Sequence, residues 1–256
     1  VNDGMWTLHF LAMLAHSANS SAGSVNALPQ LNKPGLDVVV LLHGMGRSTL
    51  SMKRIEWALV NRGYRVVNVG YPSTLHPVEH LARSHLAPVL RKLELAPGGR
   101  VHFVTHSLGA IMLQHQLAME PMPQLGRVVM LGPPNRGSEL AEAFRGKSWY
   151  RLATGPSGQQ VGTGNLDLPR ALGPATCEVG VIAGDRSLNP LFSCMIPGPD
   201  DGKVSVESTR LEGMADFTVV HHSHTWLPWR KSVIRQVISF LEAGRFLKPC
   251  RASRAI

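Results

Sequence analysis

The chain has 256 residues, 44% of them apolar and 17% charged, enough for one sizeable core and too apolar for a disordered chain. Its 25 glycines and 18 prolines follow no collagen-like period, which excludes a collagen-like chain and fits a loop-rich fold. The 26 basic and 17 acidic side chains leave a net charge of +9 and a pI near 10.0, a balance that points to polyanions when it covers one face.

The charge is instead local. From Thr225 onwards Arg230, Lys231, Arg235, Arg245, Lys248, Arg251 and Arg254 stand against Glu242, a net +6, and the first 224 residues carry only +3. This reads as a solvated final helix and basic tail, with at most a weak contact to an anionic surface. No nucleic-acid recognition motif accompanies it, so nucleic acid is not an expected partner.

In chain order, residues 1–35 form an N-terminal segment. Residues 5–15 (MWTLHFLAMLA) run into a small, polar stretch at 17–24, like the apolar region and cleavage site of a signal peptide, but no Lys or Arg precedes Lys33. Export to a periplasmic or extracellular space is the reading taken, with a frayed start of a cytoplasmic protein as the alternative. The run is too short for a bilayer span of about 20 residues.

A domain is expected over 36–248. Residues 38–42 (VVVLL) read as a strand buried on both faces. A helix follows over 49–60, a strand over 66–69 and a helix over 77–93 that Pro88 kinks. Strands are expected at 101–105, 128–131, 179–183 and 217–220, and helices at 108–119 and 233–241. Such alternation predicts an α/β fold: a compact, mainly parallel sheet of about six strands with helices on both faces. Residues 145–175, rich in Gly, Pro, Ser, Thr and Gln, are expected to form a small irregular cover, and 249–256 a basic tail. Cys177, Cys194 and Cys250 show no zinc spacing. Cys177 and Cys194, sixteen residues apart in the loop between them, fit a disulfide in an oxidising compartment, and three free thiols fit a reducing one.

The chemistry-bearing stretch is Val101-His102-Phe103-Val104-Thr105-His106-Ser107-Leu108-Gly109-Ala110. A serine between a strand and a helix, with Gly two residues later, is the setting of a nucleophile elbow. The tight turn lifts the serine oxygen above the strand end and aims the Leu108 N–H from a helix N-terminus at a developing oxyanion. Thr105 stands where the G-x-S-x-G pattern has its first Gly. His43-Gly44-Met45-Gly46, at the end of the first strand and about 60 residues ahead of Ser107, is placed as an oxyanion loop is placed, with the Met45 N–H as second donor.

From about Asp37 to the final helix the chain resembles the α/β-hydrolase superfamily, and within it bacterial esterases and lipases. The stretch Leu131-Gly132-Pro133-Pro134-Asn135-Arg136-Gly137-Ser138-Glu139-Leu140-Ala141 is similar to the segment after the strand that follows their nucleophile helix. Asp200-Asp201-Gly202-Lys203-Val204 resembles the lipase stretch with the triad acid, and His222-Ser223-His224-Thr225-Trp226-Leu227 the loop with the triad histidine.

The resemblance implies Ser107, Asp201 and His224 as nucleophile, acid and base, with Asp185 as the runner-up acid and Asp200 and Asp216 as turn or surface residues. His221 and His222 compete with His224 as extensions of the last strand. A metal reading of these three histidines lacks a second ligand cluster. His43 is expected to brace the oxyanion loop and His106 the elbow. His76, His80, His85, His102 and His115 are read as surface or partly buried, and Tyr71-Pro72-Ser73-Thr74 as a loop or acyl-pocket wall. The implied function is a serine carboxylesterase acting on short- to medium-chain esters of small molecules or lipids, without metal or organic cofactor. A lipase, thioesterase or acyltransferase would use the same residues, and a non-catalytic binding module is the competing class.

Overall fold

The computed structural model describes residues 37–248; the signal-like stretch, Cys250 and the tail beyond lie outside the described residues. Six parallel strands, β1 (Val38–Leu42), β2 (Arg65–Val69), β3 (Val101–His106), β4 (Leu125–Leu131), β5 (Val179–Gly184) and β6 (Asp216–Val220), form one sheet in the order β2-β1-β3-β4-β5-β6. The strands alternate their side chains between two cores. Val38, Val40, Leu42, Phe103, Met130 and Val181 pack on one face with helix Leu108–Met119. Val39, Leu41, Val104, Val129 and Ile182 pack on the other with helices Lys53–Val60 and Lys231–Ala243. Burial on both faces is why β1 reads as an unbroken apolar run, whereas the edge strands β2 and β6 are mostly half-buried.

The order reverses after β1: the chain goes first to β2 on one side and then to β3 on the other. The crevice at the carboxyl ends of strands flanking such a reversal is where open parallel sheets place their ligands, and here it receives both the loop after β1 and the turn after β3. Helix Leu108–Met119 must start close under that loop. A Cβ on Gly109 would lie 2.8 Å from the Leu42 carbonyl oxygen and 2.9 Å from that of His43, so only glycine lets the helix approach.

Strand β1 and helix Leu108–Met119 match their expected bounds, and the other five strands extend one to three residues beyond those expected from sequence. The helix around Pro88 runs as Val78–Leu81, a π-helical turn Ala82–Leu86, and Ala87–Arg91. Proline lacks the N–H and crowds the preceding turn, and the wider π-turn ahead of it accommodates both. The larger departure is the cover. Residues 145–175 contain helix Ser148–Gly158, kinked at Gly155 (φ 63) and Pro156, and a short helix Leu168–Ala171. Its buried positions are Tyr150, Thr154, Ser157 and Gly158, a helical spacing carried by small and polar residues that an apolar count does not register.

On the final helix Val233, Ile234, Val237, Ile238, Phe240 and Leu241 are buried while Lys231 and Arg235 are exposed, as expected for a solvated basic face. Cys177 and Cys194 are both free thiols, and burial pushes Cys177 up to about 11. Among the described residues no helix is long and apolar enough to cross a membrane.

Gly109→Ala is expected to destabilise the fold by about 1–3 kcal/mol, the usual range for overpacking, because the atoms met are backbone and cannot swing away. Urea unfolding of the variant beside the parent protein measures this, and an unchanged midpoint would contradict the contact.

Candidate active site

Ser107 follows β3 and has φ 54, ψ −122, a positive φ held by no other non-glycine among the described residues. Its amide donates to the Leu131 carbonyl at 2.9 Å. A positive φ on a residue with a Cβ is strained and is sustained because strand and helix are fixed on either side. The loop after β1 turns back on itself, with Arg47 N donating to the Gly44 carbonyl and Gly46 at φ 63. Met45 and Leu108 line the same cavity as Ser107.

Asp201 and His224 come from loops after β5 and β6. Their residues are 1% and 7% exposed, and His224 Nδ1 lies 2.7 Å from Asp201 Oδ2. The other carboxylate oxygen accepts the Lys203 and Val204 amides, each at 3.0 Å, and the His224 amide donates to the Asp201 carbonyl at 2.9 Å. A proton on Nδ1, shared with the carboxylate, leaves Nε2 as an acceptor. Below the pair, a Cβ on Gly132 (φ 51) would stand 3.0 Å from both Asp201 Oδ2 and His224 Nδ1.

The rival acids have other partners. Asp185 pairs with His221 at 2.9 Å on the surface, Asp200 accepts Gly202 N and Ser193 Oγ, and Asp216 accepts Phe217 N and Phe246 N. His222 meets Ser232 Oγ, so the three clustered histidines face three different partners. No group of three or more metal-ligating side chains occurs among the described residues.

Two further histidines hold the loops. His106 is buried, and its Nε2 donates to the His224 carbonyl at 3.1 Å with the rings 4.8 Å apart. Burial, with the nearby His224 and Arg47, holds its pKa well below the ordinary range. His43 donates from Nδ1 to the Gly44 carbonyl, accepts the Tyr71 amide at Nε2 and stacks on the Tyr71 ring at 4.0 Å. Tyr71 in turn donates its hydroxyl to the His43 carbonyl. Ser73 Oγ accepts Gly46 N, and Ser73 O accepts the Ser157 hydroxyl of the cover helix. Tyr71 and Ser73 thus brace the loop after β1 and do not line the cavity.

The Pro-Pro-Asn-Arg-Gly-Ser segment after β4 is a dock for the loop that carries Asp201. Asn135 donates to the Thr209 carbonyl at 2.8 Å, and Glu139 accepts the hydroxyls of Ser205 and Ser208, both at 2.6 Å. Ser138 Oγ caps helix Glu139–Phe144 through Ala141 N. These links, and the bracing by Tyr71, Ser73 and Gly132, were not legible as contacts in the sequence.

The cavity has an empty volume of about 1030 Å³, solvent at its mouth included. Ser107, His224, Met45 and Leu108 all line it, and Leu140, Phe144, Tyr150 and Val161 give it apolar walls. Arg47 and Lys203 also line it. Burial, with the Arg47 charge next, pushes the Lys203 ammonium down to about 8 against the pull of Asp201.

The sequence pattern described as the alpha/beta hydrolase family matches residues 39–236. This chain belongs to the α/β hydrolase family. No curated protein matches the sequence of this α/β hydrolase. Its fold is similar to those of several solved structures. A Bacillus licheniformis lipase in mature form is 20% identical with a TM-score of 0.58, the match covering 85% of this chain and 93% of that one. A metagenomic carboxyl esterase is 19% identical with a TM-score of 0.63, covering 87% and 80%. A Legionella pneumophila phospholipase is 20% identical with a TM-score of 0.56, and 72% of this hydrolase matches 50% of that longer chain. At such identities the likeness is one of fold.

Burial pushes His43 down to about 4, opposed by its bond to Gly44. Between pH 7 and pH 5 the unfolded chain takes up a proton there that the folded chain refuses, so stability falls on acidification, by about 2 kcal/mol for this ring. Urea unfolding at the two pH values should show at least that loss. His43→Gln should lessen the loss relative to its own stability at pH 7, and an unchanged loss would place the titration elsewhere.

Proposed function

We propose that the protein is a serine carboxylesterase that hydrolyses short- to medium-chain acyl esters. The observation that carries this reading is the buried Asp201–His224 hydrogen bond of 2.7 Å in a loop pair beside Ser107, which is itself held at φ 54 in an apolar-walled cavity. His224 Nε2 takes the proton of Ser107 as its oxygen attacks the acyl carbon. Asp201 keeps the imidazole in the required tautomer and stabilises the imidazolium. The amides of Met45 and Leu108 hold the oxyanion, each worth about 3 kcal/mol of barrier. His224 then gives its proton to the leaving alcohol oxygen, and water, deprotonated by the same ring, releases the acid and restores Ser107.

The preference for an esterase over a lipase with a moving lid rests on how the cover is attached. Ser157 bonds to Ser73, Gln160 bonds to the Val78 amide and to both Glu79 carboxylate oxygens, and Gly155 passes so close to Thr74 that no side chain fits. Such a cover stays in place over a cavity that is already open.

Labelling with a serine-directed fluorophosphonate tests the reading. The folded protein should label, Ser107→Ala should not, and Asp201→Asn should lower turnover of p-nitrophenyl butyrate about a thousandfold or more. Labelling that survives Ser107→Ala would sink the assignment.

A further inference from the structure

Met45, the proposed oxyanion donor on the loop after β1, stands between Gly44 and Gly46, and glycine leaves the backbone on either side free to turn. The direction of its N–H therefore depends on what holds the two peptides that meet at Met45. In the first, the Gly44 carbonyl accepts His43 Nδ1 at 2.9 Å and Arg47 N at 3.2 Å. A trans peptide is planar, with C=O and N–H pointing opposite ways, so these two donors turn the Met45 N–H away from themselves. The second peptide is held at Gly46 N, which donates to Ser73 Oγ at 2.9 Å. Gly46 has φ 63, and as a glycine it exchanges that conformation freely once the bond is gone.

Ser73 is in turn fixed from two sides. Its carbonyl accepts the Ser157 hydroxyl at 2.6 Å, and Ser157 is fully buried on the cover helix Ser148–Gly158. Its amide donates to the Tyr71 carbonyl at 2.9 Å. Ser73 is 3% exposed and is not among the residues lining the cavity, so it acts through the loop and not on the substrate. We infer that Ser73 is a positioning residue for the oxyanion donor and that the cover, through Ser157, sets its place; this rests on the serine esterase reading above. A donor already aimed needs no reorganisation as charge develops on the acyl oxygen, whereas a loop free to turn at Gly46 must be ordered in the transition state. Loss of the Ser73 hydroxyl therefore falls on kcat and leaves KM nearly unchanged.

The test is turnover of p-nitrophenyl butyrate by the full chain, expressed per active site counted by complete fluorophosphonate labelling. Ser73→Ala should lower kcat about ten- to a hundredfold, with KM within about twofold of the parent. It should weaken inhibition by a propyl trifluoromethyl ketone, whose adduct with Ser107 mimics the tetrahedral intermediate, by a similar factor. Ser73→Cys, close in size but a weak acceptor, should behave like Ser73→Ala. Ser157→Ala should lower kcat about threefold in the parent and leave it unchanged in the Ser73→Ala background. A purely structural brace would lower the fraction of active protein and leave kcat per labelled site intact. That result overturns the inference, as does full kcat in Ser73→Cys or a trifluoromethyl ketone bound as tightly as by the parent. No loss from Ser157→Ala, or one that persists beside Ser73→Ala, overturns the part assigned to the cover. If circular dichroism shows that Ser73→Ala does not fold, Ser73→Cys and Ser157→Ala decide. Turnover by the parent with unchanged variants overturns this inference alone, and a parent that neither labels nor turns over the ester overturns the esterase reading with it.

Discussion

The carboxylate of Asp201 is almost entirely shielded from water, and an ionised carboxylate there costs several kcal/mol unless its oxygens are filled. They are filled by His224 Nδ1 and by the amides of Lys203 and Val204. Much of the surrounding structure follows from that requirement. The loop after Asp201 must fold back to present its amides, and Glu139 and Asn135 pin its far end through Ser205, Ser208 and Thr209. The floor beneath favours glycine, because Gly132 has φ 51, which side-chain-bearing residues rarely adopt, and a Cβ there would press on the carboxylate and ring at 3.0 Å.

The same logic runs through the neutral rings. His43 and His106 are buried side chains whose burial favours the uncharged form. In that form each ring supplies a donor to a carbonyl of a loop that shapes the cavity, Gly44 for His43 and His224 for His106. They act as hydrogen-bonding struts, and their neutrality keeps further positive charge away from a region that already holds Arg47 and Lys203. Arg47 and Lys203, from the loops after β1 and β5, are the Lys and Arg residues that line the cavity.

The basic character of the chain thus has two unrelated parts. Lys231 and Arg235 sit on the solvent face of the final helix, where high dielectric makes each charge cheap and weakly directional. Arg47 and Lys203 are fewer but stand where burial strengthens their fields. Net charge alone does not distinguish these two from any surface lysine or arginine.

The strands themselves, the elbow at Ser107 and the loop at His43 to Gly46 were legible in the sequence because each depends on local rules, whereas their order in the sheet was not. Unbroken apolar runs mark strands covered on both faces, and a serine between strand and helix with a following glycine marks a turn that few other residues can make. The helical cover was not legible: its buried face is Tyr150, Thr154, Ser157 and Gly158, and small or polar residues become core only when another segment lies against them. For the same reason the sequence by itself could offer Asp185, Asp200, Asp201 and Asp216 as acids and His221, His222 and His224 as bases, but could not choose by contact. Only the tertiary structure joined Asp201 to His224 and sent Asp185 to His221, because hydrogen bonds between residues 23 and 36 positions apart are decided by how β5 and β6 align their loops.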